Sequence, residues 1–196
     1  MEIEGNKNQL RIIGGKWRGR KLQFPSLPGL RPTPDRVRET LFNWLMHDII
    51  DAHCLDLYAG SGALGFEALS RGAKKVTFMD ISKNVIETLK DNAAKLAATN
   101  VDFINGNFIL ENTTKNTKFD IVFCDPPFKQ NILIVACELL EARNLLNSRA
   151  FIYLEFEKNS VNISLLPKHW KIKKHKSTQT IEYLLCQKDS ESVDEN

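Results

Sequence analysis

Four cysteines stand in 196 residues, and none forms a C-x-x-C pair or lies beside a histidine at metal-ligand spacing. No metal site is therefore expected. Cys54, Cys124 and Cys186 each lie in a strand-like run and, with Cys137, read as reduced thiols that act as small apolar residues. Long apolar runs are also missing. The stretch 132–137 is broken by Glu138, far short of the roughly 18 residues that a membrane-spanning helix needs. Residues 1–8 are polar and charged, without an apolar h-region or a cleavage site, which points to a cytoplasmic protein with no membrane partner. Repeats and low-complexity tracts are absent, and a monomer is expected. At 42% hydrophobic residues the chain can bury one sizeable core, so one main domain with appendages is expected.

Net charge is only +3, but its distribution is uneven, and distribution is what creates a local field. Lys7, Arg11, Lys16, Arg18, Arg20, Lys21, Arg31, Arg36 and Arg38 are opposed between positions 7 and 38 by Asp35 alone. A second cluster comprises Lys168, Lys171, Lys173, Lys174 and Lys176. Residues 189–196 are acidic and polar and read as a disordered tail.

Residues 9–24, QLRIIGGKWRGRKLQF, form two short β-type runs around glycines, which suggests a hairpin carrying arginines, and a Pro-rich linker follows. Thr33-Pro34 reads as an N-cap with proline at the first helical position. Val37, Leu41, Trp44 and Leu45 then share one helical face, flanked by Arg36 and Arg38. This basic extension covers residues 1–50. From residue 51 to 188 strands and helices alternate: CLDLY, a helix over Ala63–Ser70, KVTFMD, a helix over Lys83–Leu96, VDFI, FDIVFCD, a helix over 131–142, and AFIYLEF. Apolar strands interleaved with amphipathic helices predict an α/β fold with a mostly parallel doubly wound sheet. WKIKKHK and TIEYLLCQ are too close together for a helical crossover and should pair antiparallel at one edge.

The segment LDLYAGSGALG places Gly60, Gly62 and Gly65 as G-x-G-x-x-G between a strand and a helix. Several nucleotide cofactors use such a turn, so acid placement must discriminate. Asp56, at the strand end, suits the cationic amino-acid portion of S-adenosylmethionine and would sit poorly beside a pyrophosphate. Asp80 ends the next strand, placed to accept hydrogen bonds from a ribose diol. Tyr58 and Ser61 within the loop, Ile81 beside Asp80, and Asn107 and Phe108 after the third strand complete the candidate cofactor contacts, the last two at the adenine.

Asp125, Pro126, Pro127 and Phe128 follow the apolar run FDIVFC, at the carboxyl end of a central strand, where ligands bind in doubly wound sheets. An exocyclic base amine is a poor nucleophile because its lone pair is delocalised into the ring. A carboxylate and a fixed carbonyl can hold its protons, aim the lone pair and stabilise the positive charge that develops on nitrogen. Consecutive prolines make a stiff platform of acceptors, and Phe128 supplies a stacking face for a base taken out of its helix. Glu155 closes a later strand, and nothing local in the sequence demands a role for it.

RIIGGKWRGRKL, LRPTPDRVRETLFNWL, LDLYAGSGALGFEALSRGA and FDIVFCDPPF together resemble the RsmD-type methyltransferases, which modify guanine N2 in 16S ribosomal RNA. The resemblance runs from residue 10 to about residue 186. It implies a Rossmann-like class I methyltransferase fold with a seven-stranded sheet and an antiparallel last strand, S-adenosylmethionine as donor and S-adenosylhomocysteine as product. The implied substrate is a guanine of 16S rRNA within the 30S subunit or its precursor. The family's cofactor residues carry over to Asp56, Gly60, Gly62 and Asp80, and its catalytic motif to Asp125 through Phe128. Tyr58 stands where phenylalanine is frequent, and Asn107 where aspartate is common. Arg11, Arg18, Arg20 and Arg38 are the expected phosphate contacts. A DNA adenine-N6 methyltransferase, a noncatalytic RNA-binding assembly factor and a nicotinamide-dependent oxidoreductase are the competing readings. The small basic extension favours folded RNA over sequence-read DNA.

Overall fold

The computed structural model describes residues 8–111, 117–127 and 132–190, so Phe128, Lys7 and the tail beyond residue 190 lie outside the described residues. The two β-type runs at the start pair as an antiparallel ribbon, β1 (Asn8–Arg11) with β2 (Lys21–Phe24), in which Leu10 opposes Leu22. Helix α1 (Asp35–Trp44) follows, then β3 (His53–Asp56), α2 (Ala63–Ser70), β4 (Lys75–Asp80), α3 (Lys83–Leu96) and β5 (Val101–Asn105). The second half contains β6 (Phe119–Cys124), α4 (Ile132–Ala142), β7 (Leu146–Glu157), β8 (Trp170–Ser177) and β9 (Ile181–Lys188).

Seven strands form one sheet in the order β5-β4-β3-β6-β7-β9-β8. The pairs β3–β4, β4–β5, β3–β6 and β6–β7 are parallel, whereas β9 runs antiparallel to both β7 and β8. This is the expected mostly parallel sheet with an antiparallel last strand. The chain winds outward from β3 through β4 to β5, then returns beside β3 as β6. That reversal opens a crevice at the carboxyl ends of β3 and β6.

Helix α3 shows why the local sequence folds as it does. Ser82 caps it by accepting the Val85 amide at 3.4 Å, Ala97 closes it in the left-handed region, and Val85, Ile86, Leu89, Ala93 and Leu96 form its buried stripe. All of α2 is buried, because the sheet covers one side while the ribbon and α1 cover the other. Phe42, Phe66, Phe78 and Phe123 are fully buried at this junction, each contributing about 1.5–3 kcal/mol of apolar burial.

Three local expectations change. Pro34, not Thr33, is the N-cap of α1, and the Thr33 hydroxyl is used elsewhere. Strand β7 starts at Leu146, four residues before the AFIYLEF run. Arg38 does not flank the apolar face as a surface cation, because it is 1% exposed. Its Nη2 donates to Asp35 at 2.5 Å and to the Arg11 carbonyl at 2.9 Å, while Nη1 lies 3.6 Å from the fully buried Glu67. Arg38 is therefore an internal bolt between α1, β1 and α2 and has no surface to offer a phosphate.

The ribbon is fixed to the sheet's helical layer by polar contacts. Glu67 accepts the Ile13 amide at 2.9 Å and Arg71 Nε at 2.7 Å. The Gln23 amide donates to Asn92 Oδ1 at 3.1 Å, and Asn92 Nδ2 donates back to the Gln23 carbonyl at 2.7 Å.

Candidate active site

The loop after β3 is tied into the sheet by main-chain bonds, Leu57 N to Phe123 O at 3.0 Å and Ala59 N to Met79 O at 2.9 Å. Gly60 and Gly62 take positive φ, 48° and 74°, where a side chain would be strained. At Gly65 space is the constraint, since an added Cβ would lie 2.2 Å from the Phe78 ring. The turn delivers the amino end of α2 beneath the strand-end acids: the Gly65 amide donates to Asp56 Oδ2 at 2.9 Å. Asp80 accepts the Gly60 amide at 3.0 Å on one oxygen and the Ser82 amide at 2.8 Å on the other. Asp80 thus joins the glycine loop to the start of α3.

At the neighbouring strand ends, Ile81 is 70% exposed beside Asp80. Asn105 Nδ2 holds the Asp80 and Ile81 carbonyls at 3.0 and 2.9 Å, which stiffens this edge. Asn107 turns its Oδ1 to the Ile109 amide at 3.0 Å. The Phe108 ring is buried with the Arg143 guanidinium 4.8 Å over it, so this side chain belongs to the core and is no open stacking wall. Ser61 is buried and accepts the Ala63 amide at 3.4 Å. The Tyr58 hydroxyl is buried with no hydrogen-bond partner among the described residues.

Asp125 follows β6 directly and is half-buried, with Pro126 buried and Pro127 exposed after it. Cys124 pairs with Leu154 in the parallel β6–β7 register, so Asp125 and Glu155 are the next residues on adjacent strands and face the same side. Glu155 is 4% exposed, receives the Tyr153 hydroxyl at 2.6 Å and is also hydrogen-bonded by Thr33. Leu30 packs at the glycine turn, 3.8 Å from where a Gly60 Cβ would stand. Residues 30–33, which follow the expected linker, therefore reach from the glycine turn to the end of β7.

Asp56, Asp80, Asp125 and Glu155 have no ion-pair partner among the described residues. Burial pushes the Asp56 carboxyl up to about 8, against the Gly65 hydrogen bond and with the Asp80 charge adding to it. Asp125 is raised well above the usual carboxylate range by burial, then by the charges of Glu155 and Asp56. Burial also raises Glu155 and Asp80, opposed in each by the hydrogen bonds they accept. A buried edge of unpaired carboxylates is a well for a cation, and it releases protons when positive charge arrives. Such an edge complements S-adenosylmethionine, whose sulfonium and ammonium are both cationic. A shallow cavity of about 340 Å³, lined by Asp48, Asp51, Asp120 and Arg149, opens at the opposite, amino end of these strands and takes no part.

The fold brings Asp56, Gly60, Gly62, Asp80 and Asp125, the candidates of the sequence, to one edge. Glu155, whose only signal was its strand-end position, and Thr33, whose partner lies far along the chain, join them there. Of the expected phosphate contacts, Arg18 and Arg20 are exposed on the ribbon, with Arg20 Nη2 donating to the Lys95 carbonyl at 3.0 Å. Arg11 is exposed and pairs with Asp35 at 3.3 Å. Phe128, the fourth member of the candidate catalytic tetrapeptide, lies outside the described residues. No helix among the described residues is long and apolar enough to cross a membrane.

A model of the family described as conserved hypothetical protein 95 matches residues 10–187. The chain is 46% identical over 183 residues to the ribosomal RNA small subunit methyltransferase D of Escherichia coli strain K12, covering 93% of this chain and 92% of that one. It is 47% identical over 185 residues to the protein of the same name from Haemophilus influenzae, covering 92% and 95%. The solved structure of the Escherichia coli protein yhhF superposes with a TM-score of 0.86 at 45% identity, covering 93% of this chain and 99% of that one. A 16S rRNA N2 methyltransferase of Thermus thermophilus, solved with AdoMet and guanosine, shares the fold at 19% identity and a TM-score of 0.72, covering 93% of this chain and 50% of that one. The sheet order and these neighbours make the fold that of the class I S-adenosylmethionine-dependent methyltransferases. With the glycine turn, the acidic edge and the Asp-Pro-Pro strand end all inside the matched span, the chain belongs to the conserved hypothetical protein 95, or RsmD, family.

Proposed function

We propose that the chain methylates ribosomal RNA, transferring the methyl group of S-adenosylmethionine to the exocyclic N2 amine of a guanine in 16S rRNA, within the small ribosomal subunit or its precursor. The observation that carries this reading is the row of unpaired acids at one strand edge, in which Asp125, followed by two prolines, faces both Asp56 and Glu155. The names of the relatives at 46% and 47% identity support the RNA substrate class.

When bound, the donor supplies an electrophilic methyl group on a cationic sulfur. Asp56 and the glycine turn would hold its amino-acid portion, Asp80 its ribose, and Ile81 with Asn107 its adenine. Asp125 accepts a hydrogen bond from the guanine amine, and the Pro126 carbonyl accepts the other, which aims the nitrogen lone pair at the methyl. Protonated Asp125 would be a donor and useless for this task. The positive charge of the bound donor lowers its pKa and so favours the acceptor form. Arg11, Arg18 and Arg20 on the ribbon contact RNA phosphates in this reading, and Phe128 stacks on the target base.

The test is incubation with radiolabelled donor and either 30S particles, free 16S rRNA or duplex DNA. Label is expected on ribosomal RNA and none on DNA, and Asp125→Ala is expected to remove transfer while retaining donor binding. Label on DNA alone, or unchanged turnover in the variant, would overturn the assignment.

A further inference from the structure

Strand β8 is almost wholly exposed, as only Trp170 of its eight residues is buried. Its sequence, WKIKKHKS, would by simple alternation put Lys173 and His175 on one face and Ile172, Lys174 and Lys176 on the other. The pairing with β9 contradicts that alternation. A register shift between Ile172 and Lys174 leaves Lys173 as the extra residue, so that Lys174 opposes Leu185 and Lys176 opposes Tyr183. Bulges re-aim side chains in this way. Leu185 and Tyr183 belong to the core on the α1 side of the sheet, whereas Cys186 and Leu184, opposite Ile172 and His175, belong to the other core. The bulge therefore moves two lysines onto the face that carries α1.

That face leads to the reaction site. Tyr183 opposes Glu155 on β7, and Glu155 neighbours Asp125, so Lys176, Tyr183, Glu155 and Asp125 form one row across four adjacent strands. Three strand spacings separate Lys176 from Asp125, about 14 Å. Trp44, half-buried at the end of α1, stacks on Tyr183 with centroids 5.6 Å apart, and the Lys176 ammonium lies 5.9 Å over the Trp44 ring. Elsewhere on β8, Lys171 is paired with Asp189 and His175 with Glu182, but Lys174 and Lys176 have no ion pair among the described residues.

We propose that Lys174 and Lys176, with Trp44 beside Lys176, form a second RNA-binding surface that holds phosphates of the strand flanking the target nucleotide. Free ammonium groups next to an aromatic face are the means by which proteins track a single strand, with charge on the backbone and a ring for a base. The surface lies at the sheet edge remote from β3–β5, so it grips the RNA on the opposite side of the target from the cofactor edge. The inference rests on the RNA-methyltransferase reading above. A competing role for such lysines is protection of an exposed edge strand against self-association.

The test is Lys174→Ala/Lys176→Ala in the full chain, with Lys83→Ala/Lys90→Ala on α3 as control. Binding of a fluorescein-labelled 16S rRNA fragment is followed by anisotropy from 50 to 300 mM NaCl. Loss of two single-strand phosphate contacts is expected to reduce the slope of log affinity against log salt by about 1.4. RNA KM should rise, with kcat, donor affinity and melting temperature unchanged, and Lys174→Arg/Lys176→Arg should restore binding. If wild type binds the RNA and the double alanine variant binds with the same affinity and slope, the surface is not an RNA site. Self-association of that variant with RNA binding intact would also overturn the inference, in favour of edge protection. If wild type itself binds no RNA, the RNA-methyltransferase reading fails, and this inference fails with it.

Discussion

Replacing Arg38 with methionine tests whether this arginine is structural. The substitution keeps most of the side chain's bulk and removes its charge, so cavity formation contributes little. Breaking a buried ion pair from one side costs about 3–5 kcal/mol. The low end applies here, because Glu67 keeps Arg71 at 2.7 Å and the Ile13 amide at 2.9 Å. The Asp35 side chain is 52% exposed and also bonded to Arg11, so its lost contact adds little. The expected loss is about 3 kcal/mol, which for a domain of this size lowers Tm by about 6–12 °C. Thermal unfolding with and without Glu67→Gln completes the cycle: Glu67→Gln should cost less in the Arg38→Met background than alone, because the buried charge it removes has already lost one partner. RNA affinity, corrected for the folded fraction, should not change. A variant that melts within 2 °C of wild type yet binds RNA less tightly would show that Arg38 is a phosphate contact after all.

Other expectations concern the acidic edge. Asp125→Asn should lower kcat by about 10²–10³, the range for loss of one preorganised hydrogen-bonding group, with donor binding by calorimetry retained. Glu155→Gln removes a negative charge facing Asp125, so the acid limb of the pH–rate profile should move to lower pH; a limb that stays in place would separate the two groups. The folded protein holds the Asp56 proton up to about pH 8, whereas an unfolded chain releases it near 4. Stability without donor should therefore fall as pH rises between those values, and the thermal shift produced by S-adenosylmethionine should grow over the same window. A thermal shift independent of pH would contradict the electrostatic account. Gly65→Ala should destabilise the fold and weaken donor binding together, because the added carbon meets the Phe78 ring and displaces the amide that holds Asp56.

What the sequence disclosed about this site followed from local rules. Glycine spacing after an apolar strand, an acid at each strand end and two prolines after FDIVFC are short-range signals, and each element they mark formed where expected. α3 begins at Lys83 because Ser82 is there to cap it. The misreadings share another cause. Arg38 looks like any surface arginine until Glu67, on another helix, is packed against it. Thr33 looks like a cap until Glu155, on β7, accepts its hydroxyl. The faces of β8, on which the sequence carried no expectation, follow from a bulge. Buried polar pairs and register shifts depend on partners distant in the chain, so periodicity carries no trace of them. In the same way, Phe108 looked like an adenine contact by position, and its ring was claimed by Arg143 and the core.

The most direct measurement of the central claim is nucleoside mass spectrometry of small-subunit RNA treated with donor and either wild type or Asp125→Ala. N2-methylguanosine arising with wild type and not with the variant is the expected result. Methyl on another base or on a ring nitrogen, or equal yields from the two proteins, would contradict it.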